Sequence, residues 1–264
     1  MNQAMTNEAT TTTTTLESRE LTKTFYSTEP PTEVLRGIDL AVRPGEFLVV
    51  MGASGSGKST LLYSISGMDR PTSGTVLLEG RELTSLSDSE MSEVRLTKMG
   101  FVFQQAHFLG NLDVRDNILL PALKGTDRSG RDAAIARVDA LMERFGIAHI
   151  KDHGITQVSG GQLQRASICR ALAGEPSVLF ADEPTGALNS SMTGEVMDAF
   201  TGVHRDGTTV VMVTHDPGVA ARGDRVIYLR DGQVVDEKAM GSWQEPEAQQ
   251  REDELLAWLR ELGF

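Results

Sequence analysis

The fold of this chain is decided by one short stretch, Gly52-Ala53-Ser54-Gly55-Ser56-Gly57-Lys58-Ser59. It fits the pattern G-x-x-x-x-G-K-[ST], in which glycines let the backbone turn so tightly that successive N–H groups point at phosphate oxygens. In such a loop the lysine, here Lys58, reaches the β- and γ-phosphates, and the hydroxyl of the last residue, here Ser59, is a ligand for Mg²⁺. The stretch therefore predicts a nucleotide-binding site.

The segments on both sides of this loop support that prediction. The apolar run Phe47-Leu48-Val49-Val50-Met51 is typical of a buried strand that leads into the loop. Residues 60–66 are typical of a helix, and the positive N-terminal end of that helix, at Thr60, would face the phosphates. All residues from Gly52 to Thr60 are therefore candidate nucleotide contacts. A glycine-rich loop without a ligand is the alternative, which the match at every fixed position disfavours.

Composition narrows the class of protein. The 264 residues carry 25 Lys and Arg against 37 Asp and Glu, a net charge of −12, whereas nucleic-acid-binding surfaces are usually basic. The single cysteine, Cys169, allows no internal disulfide, and its apolar surroundings predict a buried side chain. No apolar run approaches the roughly 18 residues of a membrane-spanning helix, and the N-terminus lacks the pattern of a secretory signal. Any membrane-spanning component is therefore expected on another chain.

The pattern along the chain predicts three parts. Residues 1–16 are rich in threonine and are expected to form a disordered tail. Residues 17–240 alternate between strand and helix patterns, and within them residues 84–170 are expected to be a mostly helical insertion in an α/β core. Residues 241–264 are expected to be a helical extension.

The C-terminal extension has an amphipathic pattern. Leu255, Trp258, Leu259 and Leu262 share one helical face. Packing of this helix on its own core is the main interpretation, and docking to a partner is the alternative.

Two carboxylates follow the apolar strand predicted at residues 177–181. Side chains at the carboxyl ends of parallel strands meet the ligand in α/β folds. Asp182 therefore suits the ligand shell of Mg²⁺, and Glu183 suits orienting or deprotonating an attacking water. Alone, this pair is equally consistent with a solvated strand end; the P-loop favours the functional interpretation.

Two weaker signals come later in the chain. Ser159-Gly160-Gly161-Gln162 opens a predicted helix and presents free N–H groups and a hydroxyl to an anion, although a plain helix cap has the same pattern. His215 follows the strand that ends at Thr214 and is placed to donate to a γ-phosphate. A lone histidine at a strand end is more often structural.

Taken together, these motifs resemble those of the ATP-binding-cassette ATPases over about residues 17–240. The resemblance rests on the order of the P-loop, Phe103-Gln104, Val158-Ser159-Gly160-Gly161-Gln162, Leu179-Phe180-Ala181-Asp182-Glu183-Pro184-Thr185 and Thr214-His215-Asp216. It implies the fold of that family, an α/β P-loop core with an antiparallel β subdomain and a helical subdomain. It also implies an ATPase that uses ATP and Mg²⁺.

The resemblance implies a role for particular positions. Phe25, directly after Lys-Thr, would stack on adenine, with Tyr26 as the alternative. Gln104 would sense Mg²⁺ and the γ-phosphate, and would couple to a membrane partner through the loop that follows it. Glu183 would be the catalytic carboxylate and His215 the switch histidine.

The resemblance also implies an assembly. Two copies would form a homodimer that sandwiches two ATP molecules, each held by one P-loop and by residues 159–162 of the opposite subunit. A membrane-spanning permease on a separate chain would dock beside residues 105–111, which places this chain at the cytoplasmic face of the cell membrane. No nucleic acid is expected as a partner.

The wording of several segments is similar to one export branch of the family, which includes lipoprotein-releasing, macrolide-export and antimicrobial-peptide-export ATPases. These segments are residues 44–47, 68–74, 100–105 and 181–186. One alternative is a regulator of cell-wall hydrolysis at division, whose membrane partner does not transport. Another is a soluble ATPase of DNA repair or of ribosomes, which the absence of sustained heptads between residues 58 and 159 disfavours.

Two positions depart from the family pattern. Val158 stands where the family usually has leucine, which is a mild change. Asn189 stands where the loop after the catalytic carboxylate usually carries aspartate. An asparagine keeps a hydrogen-bonding oxygen but loses the charge, so communication between subunits is the property expected to differ.

Overall fold

The structure, a computed structural model, describes residues 14–264, and residues 1–13 of the predicted tail lie outside them. Ten strands occur in the described part: β1 (Leu16–Phe25), β2 (Thr32–Val42), β3 (Phe47–Met51), β4 (Ser73–Leu78), β5 (Arg81–Glu82), β6 (Met99–Phe103), β7 (Val178–Asp182), β8 (Thr209–Val213), β9 (Arg225–Arg230) and β10 (Gln233–Ala239). The same residues contain eight α-helices: α1 (Lys58–Ile65), α2 (Asp88–Lys98), α3 (Val114–Lys124), α4 (Arg131–Arg144), α5 (Gly160–Leu172), α6 (Ser190–Arg205), α7 (Pro217–Ala220) and α8 (Ala248–Glu261).

The central sheet has the strand order β10-β9-β3-β8-β7-β6. Its strands β9, β3, β8, β7 and β6 run parallel. Every residue of β3, β7 and β8 is buried, which is why these segments are apolar at successive positions rather than alternating. Because the strands are parallel, the loops that follow β3, β6, β7 and β8 all leave the sheet on the side where these strands have their carboxyl ends. These loops carry the P-loop, Gln104, Glu183 and His215.

A second, antiparallel sheet has the order β2-β1-β4-β5. Its first strand begins within the predicted tail: Leu16 is only 1% exposed, and the N–H of Thr15 donates to the carbonyl of Val42 at 2.8 Å. The expected boundary after residue 16 is therefore too late. Leu16 fills the core between this sheet and α1, where it belongs to the same apolar cluster as Leu61 and Ile65.

The helical region is interrupted by a strand of the central sheet. Helix α2 begins with a capping box, in which the N–H of Ser87 donates to the Glu90 carboxylate at 2.9 Å. Strand β6 then pairs with β7 at the edge of the central sheet, and α3, α4 and α5 follow and pack together. The predicted insertion at residues 84–170 is thus helical on both sides of β6. Gln104 directly follows β6 and lies at the carboxyl end of this strand.

The C-terminal extension packs on the core of its own chain. Leu255 and Leu259 of α8 are fully buried. Arg251 of α8 is 6% exposed, and its guanidinium donates to the carbonyl oxygens of Ala221, Gly223, Met240, Gly241 and Ser242. These five carbonyls come from segments on either side of the β9–β10 hairpin, so α8 ties the end of the chain to the loop before β9.

Two further observations concern the membrane and the cysteine. No helix within residues 14–264 has both the length and the apolar composition that a bilayer crossing requires. Cys169 of α5 is buried as expected, and burial raises the pKa of its thiol to about 12. A thiol with such a pKa is a core side chain rather than a nucleophile.

Candidate functional site

The P-loop Gly52–Ser59 joins β3 to α1 and is shaped by its glycines. Gly52 has φ 156°, and a Cβ there would lie 2.1 Å from the carbonyl oxygen of Leu229. Gly57 has φ 103° and directly precedes the first residue of α1. The first N–H groups of a helix have no partner within the helix, so the loop and α1 together offer a row of free donors to an anion.

Lys58 closes this loop on itself. Its ammonium donates to the carbonyl oxygens of Gly52 at 2.9 Å and of Ala53 at 3.0 Å. Burial lowers the pKa of Lys58, while the nearby carboxylates of Glu183 and Asp182 act in the opposite direction. The side chain is therefore a cation that lies at the mouth of the loop, next to two acidic groups.

Asp182, the last residue of β7, is 8% exposed, and both of its carboxylate oxygens accept hydrogen bonds from α1. The hydroxyl of Ser59 donates to Oδ1 at 2.9 Å, and the hydroxyl of Tyr63 donates to Oδ2 at 2.6 Å. Burial and the contact with Asp182 raise the pKa of Tyr63. The structure thus joins the hydroxyl and the carboxylate that the sequence predicted as Mg²⁺ ligands.

Glu183 and His215 lie opposite each other at the ends of β7 and β8. Nδ1 of His215 is 2.9 Å from each carboxylate oxygen of Glu183. The backbone of Glu183 has φ 46°, and its N–H donates to the carbonyl of Val213 at 2.9 Å. A left-handed backbone costs energy in a non-glycine residue and is found mostly at functional sites. The pairing to β8 holds Glu183 in that conformation.

Gln104 contacts the loop that follows Glu183. A Cβ at Gly186 would lie 2.9 Å from Nε2 of Gln104, so the amide of Gln104 lies against the backbone of this loop. The residue before Gln104 is also fixed, because Nε2 of Gln164 on α5 donates to the carbonyl of Phe103 at 2.9 Å. Gln104 is therefore placed between the loop after Glu183 and helix α5.

The Ser159–Gln162 motif lies at the start of α5 and faces outward. Ser159 and Gly160 are exposed. The N–H of Ser159 donates to Oε1 of Gln162 at 2.8 Å, and the N–H of Gln162 donates to Oγ of Ser159 at 3.2 Å. This is a capping box, so within the chain the motif acts as a plain helix cap. Its exposed N-terminus remains accessible to a ligand carried by another molecule.

Phe25 is the last residue of β1 and pairs with Thr32 of β2. Nζ of Lys23 is 5.0 Å from the centroid of the Phe25 ring, and that ammonium is fixed by Asp69 at 2.6 Å. Tyr26, the alternative for stacking on adenine, is 72% exposed. Phe25 is thus the more firmly positioned of the two rings.

An open cleft of about 510 Å³ begins at Glu183 and His215. It is lined by Glu183, His215, Gly186, Leu188, Arg222 and Glu252, among others. Glu252 belongs to α8, so the C-terminal helix forms part of the wall of this cleft.

Comparison with known proteins identifies the family. Residues 35–186 match the sequence model of the family described as "ABC transporter". The chain belongs to the ABC transporter family. It is an ATPase domain of that family, and its α/β fold with two sheets is that of an ABC cassette.

Three relatives illustrate the similarity of this ABC cassette to known proteins. It is 44% identical over 237 residues to the macrolide export ATP-binding/permease protein MacB of Rhodopseudomonas palustris, covering 90% of this chain and 35% of the relative. It is 42% identical to the bacitracin export ATP-binding protein BceA of Halalkalibacterium halodurans, covering 83% of this chain and 86% of the relative. The solved dimeric, post-hydrolysis cassette MJ0796 bound to ADP and Pi is 36% identical, with a TM-score of 0.76, covering 86% of this chain and all of that one. The chain thus spans about a third of the length of the macrolide-export relative.

Two side-chain contacts near the candidate site of this ABC cassette were missed by the sequence analysis. The first is the hydroxyl of Tyr63, which reaches Asp182 from one turn beyond Ser59. The spacing of four residues on a helix, which puts both side chains on one face, was the available signal. The second is the cap formed by Asn189, whose Oδ1 accepts from the N–H of Met192 at 3.0 Å and begins α6.

Proposed function

We propose that this ABC cassette binds ATP together with Mg²⁺, hydrolyses it as one of two identical subunits, and thereby powers export through a permease on a separate chain. The observation that carries the proposal is the meeting of Lys58, Asp182, Glu183 and His215 at one edge of the central sheet. A cation for phosphates, a carboxylate for a metal and a base held by an imidazole are the groups that phosphoryl transfer to water requires.

The contacts of each side chain suggest its task. On nucleotide binding, Lys58 exchanges the carbonyl oxygens of Gly52 and Ala53 for phosphate oxygens. Glu183 accepts the proton of the attacking water. His215, which is hydrogen-bonded to the carboxylate of Glu183, orients this carboxylate and donates to the γ-phosphate. The left-handed backbone of Glu183 keeps the base in place without a rearrangement.

Ser59 and Asp182 fit a Mg²⁺ ion, because a hydroxyl and a carboxylate oxygen 2.9 Å apart are the hard ligands that this ion prefers. Within residues 14–264, no three His, Cys, Asp or Glu side chains form a metal cluster. Oxygens of the nucleotide and of water, together with the amide of Gln104, would complete the set of ligands. The ion supplies neutralisation of the phosphate charge.

Adenine is proposed to stack on Phe25. The ring follows β1, and the ammonium of Lys23 at 5.0 Å limits its movement. A ring that is already ordered loses less conformational freedom on binding than the exposed ring of Tyr26 would.

A homodimer would complete the nucleotide site. The N-terminus of α5, where Ser159 and Gly160 are exposed, would offer free N–H groups to the γ-phosphate held by an opposite P-loop. The similar cassette MJ0796 is dimeric with ADP and Pi bound, which supports this arrangement.

A permease is proposed to dock beside residues 105–111, which would hold this chain at the cytoplasmic face of the membrane. The loop is positioned by Arg170 of α5, whose guanidinium donates to the carbonyls of Ala106 at 2.6 Å and His107 at 3.2 Å. The same guanidinium lies 4.5 Å from the centroid of the Phe108 ring. Near this loop Leu109 and Leu120 are 48% and 50% exposed. An apolar partner surface would cover such side chains.

The names of the relatives support export of macrolide, lipoprotein or antimicrobial-peptide type. One relative is named for macrolide export and carries "permease" in its name, and the other is named for bacitracin export as an ATP-binding protein alone. The match to the bacitracin-export relative covers 86% of that protein, which is named as an ATP-binding protein alone. This supports a permease on a separate chain.

The central test is the substitution Glu183→Gln. An amide does not accept a proton from water, so ATP hydrolysis should fall to near zero while ATP binding persists. The retained ATP should also hold two subunits together, which size-exclusion chromatography with and without ATP would detect. Glu252→Gln is the matched control, because Glu252 is a carboxylate of α8 that lines the same cleft. Near-normal turnover of the Glu183→Gln protein would remove Glu183 from the catalytic role.

The partner is tested by reconstitution in lipid vesicles with the permease encoded beside this chain. Stimulation of ATP hydrolysis together with movement of a substrate supports export. Stimulation without any movement of substrate would instead favour the regulator of cell-wall hydrolysis, and no stimulation would contradict a permease partner.

A further inference from the structure

Helix α1 holds both oxygens of Asp182, not only the one opposite Ser59. The hydroxyl of Tyr63 donates to Oδ2 at 2.6 Å, and the hydroxyl of Ser59 donates to Oδ1 at 2.9 Å. Ser59 and Tyr63 are one helical turn apart and therefore lie on the same face of α1. The carboxylate, which is 8% exposed, is thus clamped by a helix that starts at the P-loop.

We propose that Tyr63 is a positioning residue for the Mg²⁺ site, which fixes the carboxylate of Asp182 so that Oδ1 is presented to the ion. The inference rests on the proposed Mg²⁺ site at Ser59 and Asp182. The last torsion of an aspartate side chain has a broad energy minimum. A short hydrogen bond from O–H to one carboxylate oxygen restricts that rotation, and it leaves the other oxygen free to exchange the hydroxyl of Ser59 for the ion.

The chemistry of the donor suits this task. A hydrogen bond from a hydroxyl to an ionised carboxylate is among the stronger ones in proteins. Unlike lysine or arginine, a tyrosine hydroxyl brings no positive charge, so Asp182 keeps its full negative charge for a cation. The ring of Tyr63 also packs against the apolar cluster under α1, so its hydroxyl is held by packing and does not depend on the hydrogen bond for its place.

A simpler role would be structural, in which Tyr63 only fills space and satisfies a half-buried carboxylate. The two roles differ in one measurable property. A structural defect weakens nucleotide binding whether or not Mg²⁺ is present. A positioning defect weakens only the part of the affinity that Mg²⁺ adds.

The test is calorimetric binding of adenylyl imidodiphosphate, a non-hydrolysable ATP analogue, to the purified chain in EDTA and again in saturating Mg²⁺. In the Tyr63→Phe protein, affinity in EDTA should match the native protein, and the gain from Mg²⁺ should shrink about tenfold to a hundredfold, as is typical when a residue that orients a metal ligand is lost. Tyr228→Phe is the matched control, because Tyr228 is a buried tyrosine in β9, away from Asp182, and it should keep the full gain.

Asp182→Asn separates the inference from the proposed site beneath it. Loss of the Mg²⁺ gain in Asp182→Asn together with a full gain in Tyr63→Phe would overturn the role of Tyr63 alone. A full gain in Asp182→Asn would overturn the Mg²⁺ site and the inference with it. Equal weakening of Tyr63→Phe in EDTA and in Mg²⁺ would show a structural role and also overturn the inference. If Tyr63→Phe does not fold, Tyr63→Leu removes the same hydroxyl and should give the same selective loss.

Discussion

Asn189 caps a helix, and it also lacks the charge that the ABC pattern usually has at this position. It lies in the loop after Glu183, where the ABC pattern usually carries aspartate, and its Oδ1 accepts from the N–H of Met192 to cap α6. Asparagine and aspartate are equally good helix caps. The cap therefore explains why an amide is accepted here, and it leaves the missing charge as the one property that differs from the family pattern.

Substitutions at Asn189 should separate the effect of the helix cap from the effect of the missing negative charge. Asn189→Ala removes the cap and should destabilise the fold by about 0.5–2 kcal/mol, which thermal melting would show. Asn189→Asp keeps the cap and adds a negative charge near the start of α6, so its melting temperature should not fall. Its ATP affinity should be unchanged, whereas the cooperativity of hydrolysis with ATP concentration should shift. Superimposable ATP titrations of native and Asn189→Asp protein, each with its permease, would show that this position carries no communication between subunits.

Which site residues the sequence could predict depends on how local their signal is. The P-loop with Lys58 and Ser59 is recognisable because its spacing is contiguous, and Asp182 and Glu183 because they end an apolar strand. Tyr63 was missed because its role depends on a contact with a residue 119 positions away. The spacing of four residues places Tyr63 on the same helical face as Ser59, but it does not tell which strand that face meets. The contact becomes visible only when β7 lies beside α1.

Among the elements, α8 is held by hydrogen bonds as well as by apolar packing. The sequence predicted its apolar face, and Leu255 and Leu259 are fully buried as that pattern indicates. The pattern does not predict Arg251, which is charged yet almost fully buried, because its five carbonyl partners lie 9 to 30 residues away in the sequence. The start of β1 was missed for a related reason, since Leu16 adjoins a polar, threonine-rich run and is ordered by pairing with Val42.

Arg251→Met tests how much α8 depends on this arginine. Methionine keeps an unbranched side chain but removes every donor, so buried carbonyl oxygens lose their partners and stability should fall by at least about 2 kcal/mol. Arg260→Met on the exposed side of the same helix is the control and should leave the melting temperature unchanged. Basal ATP hydrolysis at a temperature where both variants are folded should remain within a few fold of native.

Deletion of residues 241–264 addresses the alternative role of α8 as a docking helix. The buried leucines of α8 contribute roughly 1.5–3 kcal/mol each, so the deletion should lower the melting temperature more than Arg251→Met does. An unchanged melting temperature combined with lost binding of the permease would instead favour docking.

At the scale of the whole molecule, the positions of the proposed nucleotide-binding groups predict how two subunits would combine to form one site. Lys58, Asp182 and Glu183 share one edge of the sheet, whereas the exposed N-terminus of α5 with Gly160 lies in the helical region. If two copies sandwich two ATP molecules, each site takes its P-loop and its Glu183 from one subunit and its α5 N-terminus from the other. Two inactive variants should then complement each other only when their defects fall on opposite sides of a site.

Mixing Lys58→Ala with Gly160→Asp provides that comparison. Lys58→Ala removes the cation of the P-loop, and Gly160→Asp places a negative charge where a γ-phosphate would approach, while keeping the Ser159 cap. Each homodimer should be inactive. In a two-fold symmetric dimer, random mixing should give mixed pairs with one intact site each, and about a quarter of native activity should return.

The control mixture is Lys58→Ala with Glu183→Gln, whose defects fall on the same side of a site. No mixed pair then contains an intact site, so activity should stay at the background of the separate variants. Equal recovery in both mixtures would contradict the composite site, because it would mean that the subunits act independently of which side is altered. No recovery in either mixture, with mixed dimers demonstrated by a tag on one subunit, would place the N-terminus of α5 outside the nucleotide site.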